Sequence, residues 1–100
     1  MFVILVKYTK PIADIDRLLS AHVRFLDEQY AAGIIVASGP RVPREGGVIL
    51  AHGRSRGEIE EILRQDPFSV EGAAAYEVIE FAPRKAGYGF EGLLCHDKTA

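Results

Sequence analysis

The order of strand-like and helix-like segments is the feature that most constrains the fold of this 100-residue chain. Runs rich in β-branched and other apolar residues predict four strands, because such side chains fit a pleated surface. The predicted strands are 2–6, 34–37, 48–51 and 73–81. Ser38-Gly39-Pro40 is expected to end the second strand, and Gly46-Gly47 to form a turn before the third. A segment with the apolar period of a helix joins the first two strands, and another joins the last two, so the predicted order is β-α-β-β-α-β.

That order is typical of the ferredoxin-like α+β fold, in which four antiparallel strands form one sheet and both helices cover the same face. The composition agrees, since 48% hydrophobic and 26% charged residues are ordinary values for one globular domain. We expect this domain to span residues 1–83. A loop-like tail is expected at 84–100, where three glycines occur and no period is visible.

Capping residues indicate where the two helices begin and end. Asp14 is expected to cap the first helix, and Gly33 to end it, because glycine readily adopts the left-handed conformation at a helix C-terminus. Residues 55–58 form a capping-box pattern at the start of the second helix. That helix is expected to continue to Asp66, because Pro67 disfavours helical geometry in the residue before it.

The predicted strands are nearly continuous apolar runs, which is typical of strands that are buried on both faces. Two helices cover only one face of a four-stranded sheet, so the second face needs another cover. We therefore expect a homodimer, or a higher oligomer built from it, in which sheet packs against sheet.

Charge and composition argue against several kinds of partner. Twelve Lys and Arg residues against fourteen Asp and Glu residues give a net charge of -2, which offers no electrostatic attraction for nucleic acid or an anionic membrane. No segment approaches the roughly 20 apolar residues of a membrane helix, and no signal peptide is recognised. The single cysteine, Cys95, excludes an intrachain disulfide framework and is expected to be a free thiol. A cytoplasmic location is the simplest expectation.

Two titratable side chains are expected to point from the helices toward the sheet. On a helical wheel, His22 falls at the centre of an apolar stripe, which is flanked by Leu18 and Val23 and consists of Ile15, Leu19, Leu26 and Tyr30. Asp66 falls on the inner face of the second helix, at a C-terminal end where the helix dipole and burial both disfavour a carboxylate. A carboxylate bonded to one imidazole nitrogen makes the other nitrogen a better base. The alternatives are a core histidine satisfied by one hydrogen bond and an ordinary Asp-Pro turn.

Other motifs carry less weight. Residues 87–92 have the letters of a dinucleotide-binding fingerprint, but neither the strand that should precede it nor the helix that should follow. Three histidines lack the spacing of metal ligands: His22, His52 and His96. We expect neither a metal nor an organic cofactor.

The order of elements and several short motifs together resemble the YCII-related (YciI-like) family. The resemblance covers residues 1–81 and depends on inward-facing His22, on Ala37-Ser38-Gly39-Pro40 at a strand end, and on Asp66-Pro67-Phe68 after the second helix. It implies a dimeric α+β barrel, which agrees with the dimer expected from the strand pattern.

The resemblance also implies a His–Asp dyad, formed by His22 and Asp66 in a small cleft. Pro67 would orient the aspartate, and backbone amides near Ser38 and Gly39 would help to hold a ligand. One branch of the family is a chlorohydroxyhydroquinone dehydrochlorinase, in which the dyad removes a phenolic proton and chloride leaves. The expected function is general-base chemistry of lyase or isomerase type on a small hydroxylated aromatic or cyclic compound. A non-catalytic ligand-binding or regulatory module of the same fold is the alternative.

Five further residues are candidates for the wall of that cleft. Pro40 follows the ligand-holding amides, and Tyr8 and Phe68 either contact a ligand or pack in the core or dimer interface. Arg41 and Arg44 either overhang the cleft, where they would attract an anionic ligand, or are solvated loop residues.

Overall fold

The computed structural model describes residues 1–94 and shows an α+β fold built on a single four-stranded antiparallel sheet. The strands are β1 (Phe2–Tyr8), β2 (Ile35–Pro40), β3 (Gly46–Ala51) and β4 (Ala74–Glu80). The helices are α1 (Ile12–Ala31), α2 (Arg56–Leu63) and the short α3 (Pro67–Val70). The strand order in the sheet is β2-β3-β1-β4. The predicted ferredoxin-like arrangement is therefore confirmed.

One face of the sheet forms the core with the helices. On β1, Phe2, Ile4 and Val6 are buried, whereas Val3 and Leu5, which point to the opposite face, are only half-buried. The buried helical side chains are Ile15, Leu18, Phe25, Ile59, Leu63 and Phe68. The opposite face of the sheet, on which Val3 and Leu5 are half-buried, is termed the open face.

The first helix begins earlier than the sequence predicts. Pro11 occupies the N-cap position, and its carbonyl accepts hydrogen bonds from the backbone N–H groups of Asp14 and Ile15. The prediction that Asp14 caps this helix is therefore wrong, since Asp14 lies inside the first turn. The prediction for the other end is confirmed, because Gly33 adopts the left-handed conformation, with φ of 74°.

Strands β2 and β3 are longer than predicted. Residues 38–40 continue β2, and residues 46–47 begin β3, where the sequence indicates a strand end and a turn. Pro40 is tolerated because β2 is an edge strand. Gly46 belongs in β3 because the backbones approach closely there: a Cβ on Gly46 would lie 1.8 Å from the carbonyl oxygen of Val6.

The second helix is shorter than predicted, and Asp66 is not part of it. The capping box of Ser55 and Glu58 forms as predicted, and its hydrogen bonds lower the pKa of the Glu58 carboxyl. However, α2 ends at Leu63, and Asp66 caps the N-terminus of α3. The helix-dipole argument applied to Asp66 is therefore wrong, because the carboxylate precedes a helix instead of ending one. Pro67 takes the first helical position of α3, where a missing N–H has no consequence.

After β4 the chain continues mainly as an exposed loop, with one short 3-10 helix at Glu91–Leu93. Cys95 and His96 lie outside the described residues, and the division into a domain at 1–83 and a tail at 84–100 stays a prediction. Within residues 1–94, no helix is long and apolar enough to cross a membrane. The same residues hold no cluster of three or more side chains that could bind a metal ion.

Candidate functional site

His22 lies in the buried row of α1, at the border between the core and a cavity. The buried residues of α1 are Ile15, Leu18 and Phe25, and His22 falls in the same row at spacings of three and four residues. The neighbouring row on the helix lines a cavity; its apolar members are Leu19, Val23 and Leu26. Leu19 and Tyr30, expected in the buried stripe, are each 39% exposed.

The inner nitrogen of His22 is bonded to Asp66. Nδ1 of His22 donates to Oδ1 of Asp66 over 2.8 Å, and the two side chains are 13% and 0% exposed. A carboxylate only accepts hydrogen bonds, so the proton is on Nδ1. In the neutral ring, Nε2 therefore keeps its lone pair and can accept a proton.

Asp66 receives two more hydrogen bonds. The backbone N–H of Phe68 donates to Oδ1 over 3.0 Å, and the hydroxyl of Tyr76 on β4 donates to Oδ2 over 2.6 Å. Both carboxylate oxygens thus have partners, which a buried carboxylate requires. Burial, and then the charge of Asp66 and the bond to it, raise the pKa of the Tyr76 phenol far above its ordinary range. Tyr76 therefore remains a hydrogen-bond donor at neutral pH.

Tyr76 is a site residue that the sequence reasoning missed. It belongs to a predicted strand, and its identity alone gives no sign of contact with Asp66. The available signal was strand alternation, because every second side chain of β4 points to the same face of the sheet. In the structure Tyr76 pairs with Val6, and its side chain points to the helix-covered face. The sequence could not show that this position lies beside the N-terminus of α3.

Aromatic contacts hold the imidazole ring in place. The ring of Phe68 stacks on His22 with centroids 3.9 Å apart and planes 7° from parallel. Tyr8 meets Phe68 edge to face at 6.0 Å and 85°. Phe68 thus contributes its backbone to Asp66 and its side chain to His22, and it fixes the two relative to each other.

His22 opens onto a cavity of about 400 Å³, a size that is ordinary for small-ligand sites. Five of the residues predicted for the cleft line it: Tyr8, Ser38, Gly39, Pro40 and Phe68. Asp66 lies behind His22, and Pro67 is not part of the wall. No group within residues 1–94 forms a hydrogen bond with Nε2 of His22, and no buried side-chain nitrogen or oxygen there lacks a partner. Nε2 is therefore accessible from the cavity.

A charged pair stands on the wall of the same cavity. Arg44, in the turn between β2 and β3, donates to the carboxylate of Asp16 on α1 over 2.7 Å. The hydrogen bond to Asp16, with a further contribution from the nearby Tyr8, raises the pKa of the Arg44 guanidinium. Arg41 is not among the lining residues. Of the two arginines considered from the sequence, only Arg44 is placed to meet an anionic group in the cavity.

Comparison with known proteins supports the fold. Residues 1–82 match the sequence model of a family described as "YCII-related domain". A search of curated proteins finds no match. Among solved structures, the chain is similar to 5-chloro-2-hydroxyhydroquinone dehydrochlorinase (TftG) from Burkholderia phenoliruptrix AC1100, in complex with 2,5-dihydroxybenzoquinone. The TM-score is 0.65 at 21% identity, covering 83% of this chain and 95% of that chain, which shows a shared fold.

Proposed function

The chain belongs to the YCII-related family, and on that premise we propose that it is a small enzyme in which His22 acts as a general base. The observation that carries the proposal is the position of the His22 ring. Nδ1 is held by a fully buried carboxylate, while Nε2 is accessible from a cavity of ligand size. When Nε2 takes a proton, Asp66 would stabilise the imidazolium that forms, as the carboxylate of a catalytic triad does.

The cavity wall favours a small hydroxylated aromatic or cyclic compound as the substrate. Leu19, Val23 and Leu26 offer an apolar surface for a flat ring. In this proposal Tyr8 and Phe68 bound the ring. Backbone groups of residues 38–40 and the Arg44 guanidinium meet its oxygen atoms.

The proposed reaction begins when Nε2 removes a proton from a substrate hydroxyl. The electron pair of the broken O–H bond moves into the ring, and the ring carbon that carries the leaving group takes up a proton and becomes tetrahedral. If the reaction stops there, it is an isomerisation. With a chlorinated ring, loss of a proton from a second hydroxyl then forms a new C=O bond and expels chloride, so the net change is the loss of HCl and no oxidant is needed. General-base assistance of this kind contributes about 10²- to 10⁴-fold in rate.

The structural neighbour supplies the first compounds to try. Its name and its bound quinone indicate chemistry on hydroxylated aromatic rings, and the fold and cavity described above suit compounds of that size. A cytoplasmic location and a homodimer belong to the same proposal, in which the dimer encloses the open face.

The proposal is tested by measuring chloride release from 5-chloro-2-hydroxyhydroquinone at pH 7. We expect turnover by the wild type and a loss of about 10²- to 10⁴-fold in H22Q. His52→Gln is the matched control, because His52 follows β3 and does not line the cavity. Circular dichroism of each variant verifies that the fold is intact.

Full turnover in H22Q would contradict the general-base role. If the wild type binds 2,5-dihydroxybenzoquinone but converts none of a panel of chlorinated and hydroxylated rings, the non-catalytic ligand-binding alternative replaces the enzyme proposal.

A further inference from the structure

The hydroxyl of Tyr76 has an unusual position relative to the His22–Asp66 pair. It donates to Oδ2 of Asp66 over 2.6 Å, whereas the other two donors, His22 Nδ1 and the backbone of Phe68, both use Oδ1. Oδ1 therefore accepts hydrogen bonds from the imidazole and the backbone, and Oδ2 accepts its hydrogen bond from Tyr76. The proposed reaction does not use Tyr76 directly.

We propose that Tyr76 is a positioning residue that sets both the orientation of the Asp66 carboxylate and the basicity of Nε2 on His22. A carboxylate held at one oxygen can rotate about its Cβ–Cγ bond, whereas one held at both oxygens cannot. The Tyr76 bond to Oδ2 therefore keeps Oδ1 directed at Nδ1. The catalytic importance of this effect depends on the proposed function, but the effect on the ring does not.

The effect on basicity has a definite direction. Asp66 is fully buried, so its charge is shared among its three donors and not with water. A hydrogen bond from Tyr76 draws charge toward Oδ2 and weakens the attraction that Oδ1 exerts on a protonated imidazole. Without the hydroxyl, the carboxylate would stabilise the imidazolium more strongly. The His22 ring would then hold its added proton to higher pH.

Other titratable groups near the ring are unchanged by a substitution at Tyr76. They are Tyr8 on β1, Asp16 on α1 and Arg44 in the β2–β3 turn, all on the cavity side of His22. Tyr76 acts from the opposite side, through Asp66. A change in the His22 titration on removing the Tyr76 hydroxyl therefore reports on the Tyr76–Asp66–His22 chain.

The experiment is an NMR titration of the His22 ring in the full-length wild type and in Tyr76→Phe, with H22Q used to assign the signals. We expect the titration midpoint in Y76F to move upward by about half to one pH unit. Tyr30→Phe is the matched control: it also removes a 2.6 Å tyrosine hydrogen bond, but one to Ser38 and not to Asp66. The midpoint in Y30F should equal that of the wild type.

A midpoint in folded Y76F that is unchanged or lower would overturn the proposal. If Y76F does not fold, fluorotyrosine introduced at position 76 provides the second test. Fluorination makes the phenol a stronger donor without removing it, so the midpoint should move downward; no shift, or an upward one, would overturn the proposal. Because neither measurement requires a substrate, a failure of the proposed enzyme activity would leave this result standing.

Discussion

At the scale of single residues, Asp66 organises the site. Its carboxylate is fully buried and accepts hydrogen bonds from His22, Phe68 and Tyr76, which come from α1, α3 and β4. Removing one donor from such a group leaves a buried lone pair without a partner, and this costs about 1–3 kcal/mol or more for a charged acceptor. The stability of this part of the molecule and the geometry of the candidate site therefore depend on the same atoms.

The buried Tyr76 phenol predicts a specific response to alkaline pH. Burial and the Asp66 charge raise the pKa of Tyr76 in the folded protein, whereas in the unfolded chain it ionises near pH 10. The contribution of Tyr76 to stability is therefore complete below about pH 10 and is lost as the pH rises further. We expect the free-energy difference of unfolding between wild type and Y76F to be constant at about pH 9. Above about pH 10 it should decrease by about 1.4 kcal/mol per pH unit.

Urea unfolding followed by circular dichroism measures this difference, since the chain has no tryptophan for fluorescence. Tyr30→Phe, whose hydroxyl is bonded at an exposed position, again serves as the comparison. A wild-type minus Y76F difference that stays constant up to pH 11 would show that Tyr76 ionises normally in the folded state.

At the scale of elements, the break between α2 and α3 creates the site. If α2 continued to Asp66, this residue would lie at the C-terminal end of a helix. The backbone N–H of Phe68 would then not be directed at its carboxylate. The turn after Leu63 and the N-cap geometry of Asp66 instead aim the side chain at both Phe68 N–H and His22. A two-residue feature, Asp66-Pro67, thus begins a short helix that the sequence analysis did not predict, and it places the acceptor between α1 and the sheet.

Two glycines in different elements are expected to respond oppositely to alanine. In β3, a Cβ on Gly46 would lie 1.8 Å from the backbone oxygen of Val6, and no side-chain rotation relieves that contact. We expect Gly46→Ala to lower the free energy of unfolding by about 1–3 kcal/mol or more. Gly57 in α2 faces open space, so Gly57→Ala should raise stability by up to about 1 kcal/mol. The urea midpoint of unfolding of each variant, compared with that of the wild type, measures these changes. Equal changes in the two midpoints would contradict the close approach of β3 to β1.

At the scale of the whole molecule, the open face predicts self-association. It carries the half-buried residues Val3 and Leu5 of β1, and Ile79 of β4, which is 43% exposed. Such a face buries more apolar surface when two sheets pack together, and this burial contributes about 25 cal/mol for each Å² removed from water, which offsets the entropy cost of association. We expect light scattering at micromolar concentration to show a dimer in the wild type and a shift toward monomer in Ile79→Glu.

Val70→Glu is the control for this experiment, because Val70 is 69% exposed but lies on α3, which packs against α1 on the helix-covered side of the sheet. If the wild type is monomeric at micromolar concentration, the prediction of a dimer is wrong, whatever the variants show.

Local chemistry in the sequence was enough to predict the order of strands and helices, the Gly33 helix end and the capping box at Ser55. Each depends on residues close together in the chain, so a periodic pattern or a single turn conformation is sufficient to reveal it. The sequence also singled out His22 and Asp66, because a titratable residue is unusual on an apolar helix face.

Only the tertiary structure decided how the side chains of the site meet. The bond between His22 and Asp66 joins positions 44 residues apart, and the bond from Tyr76 starts on a strand that no helical wheel includes. The extension of β3 through Gly46 was likewise hidden, because the reason for a glycine there is the backbone of β1. Such contacts depend on how the elements pack, and their energies arise only when distant segments come together and exclude water.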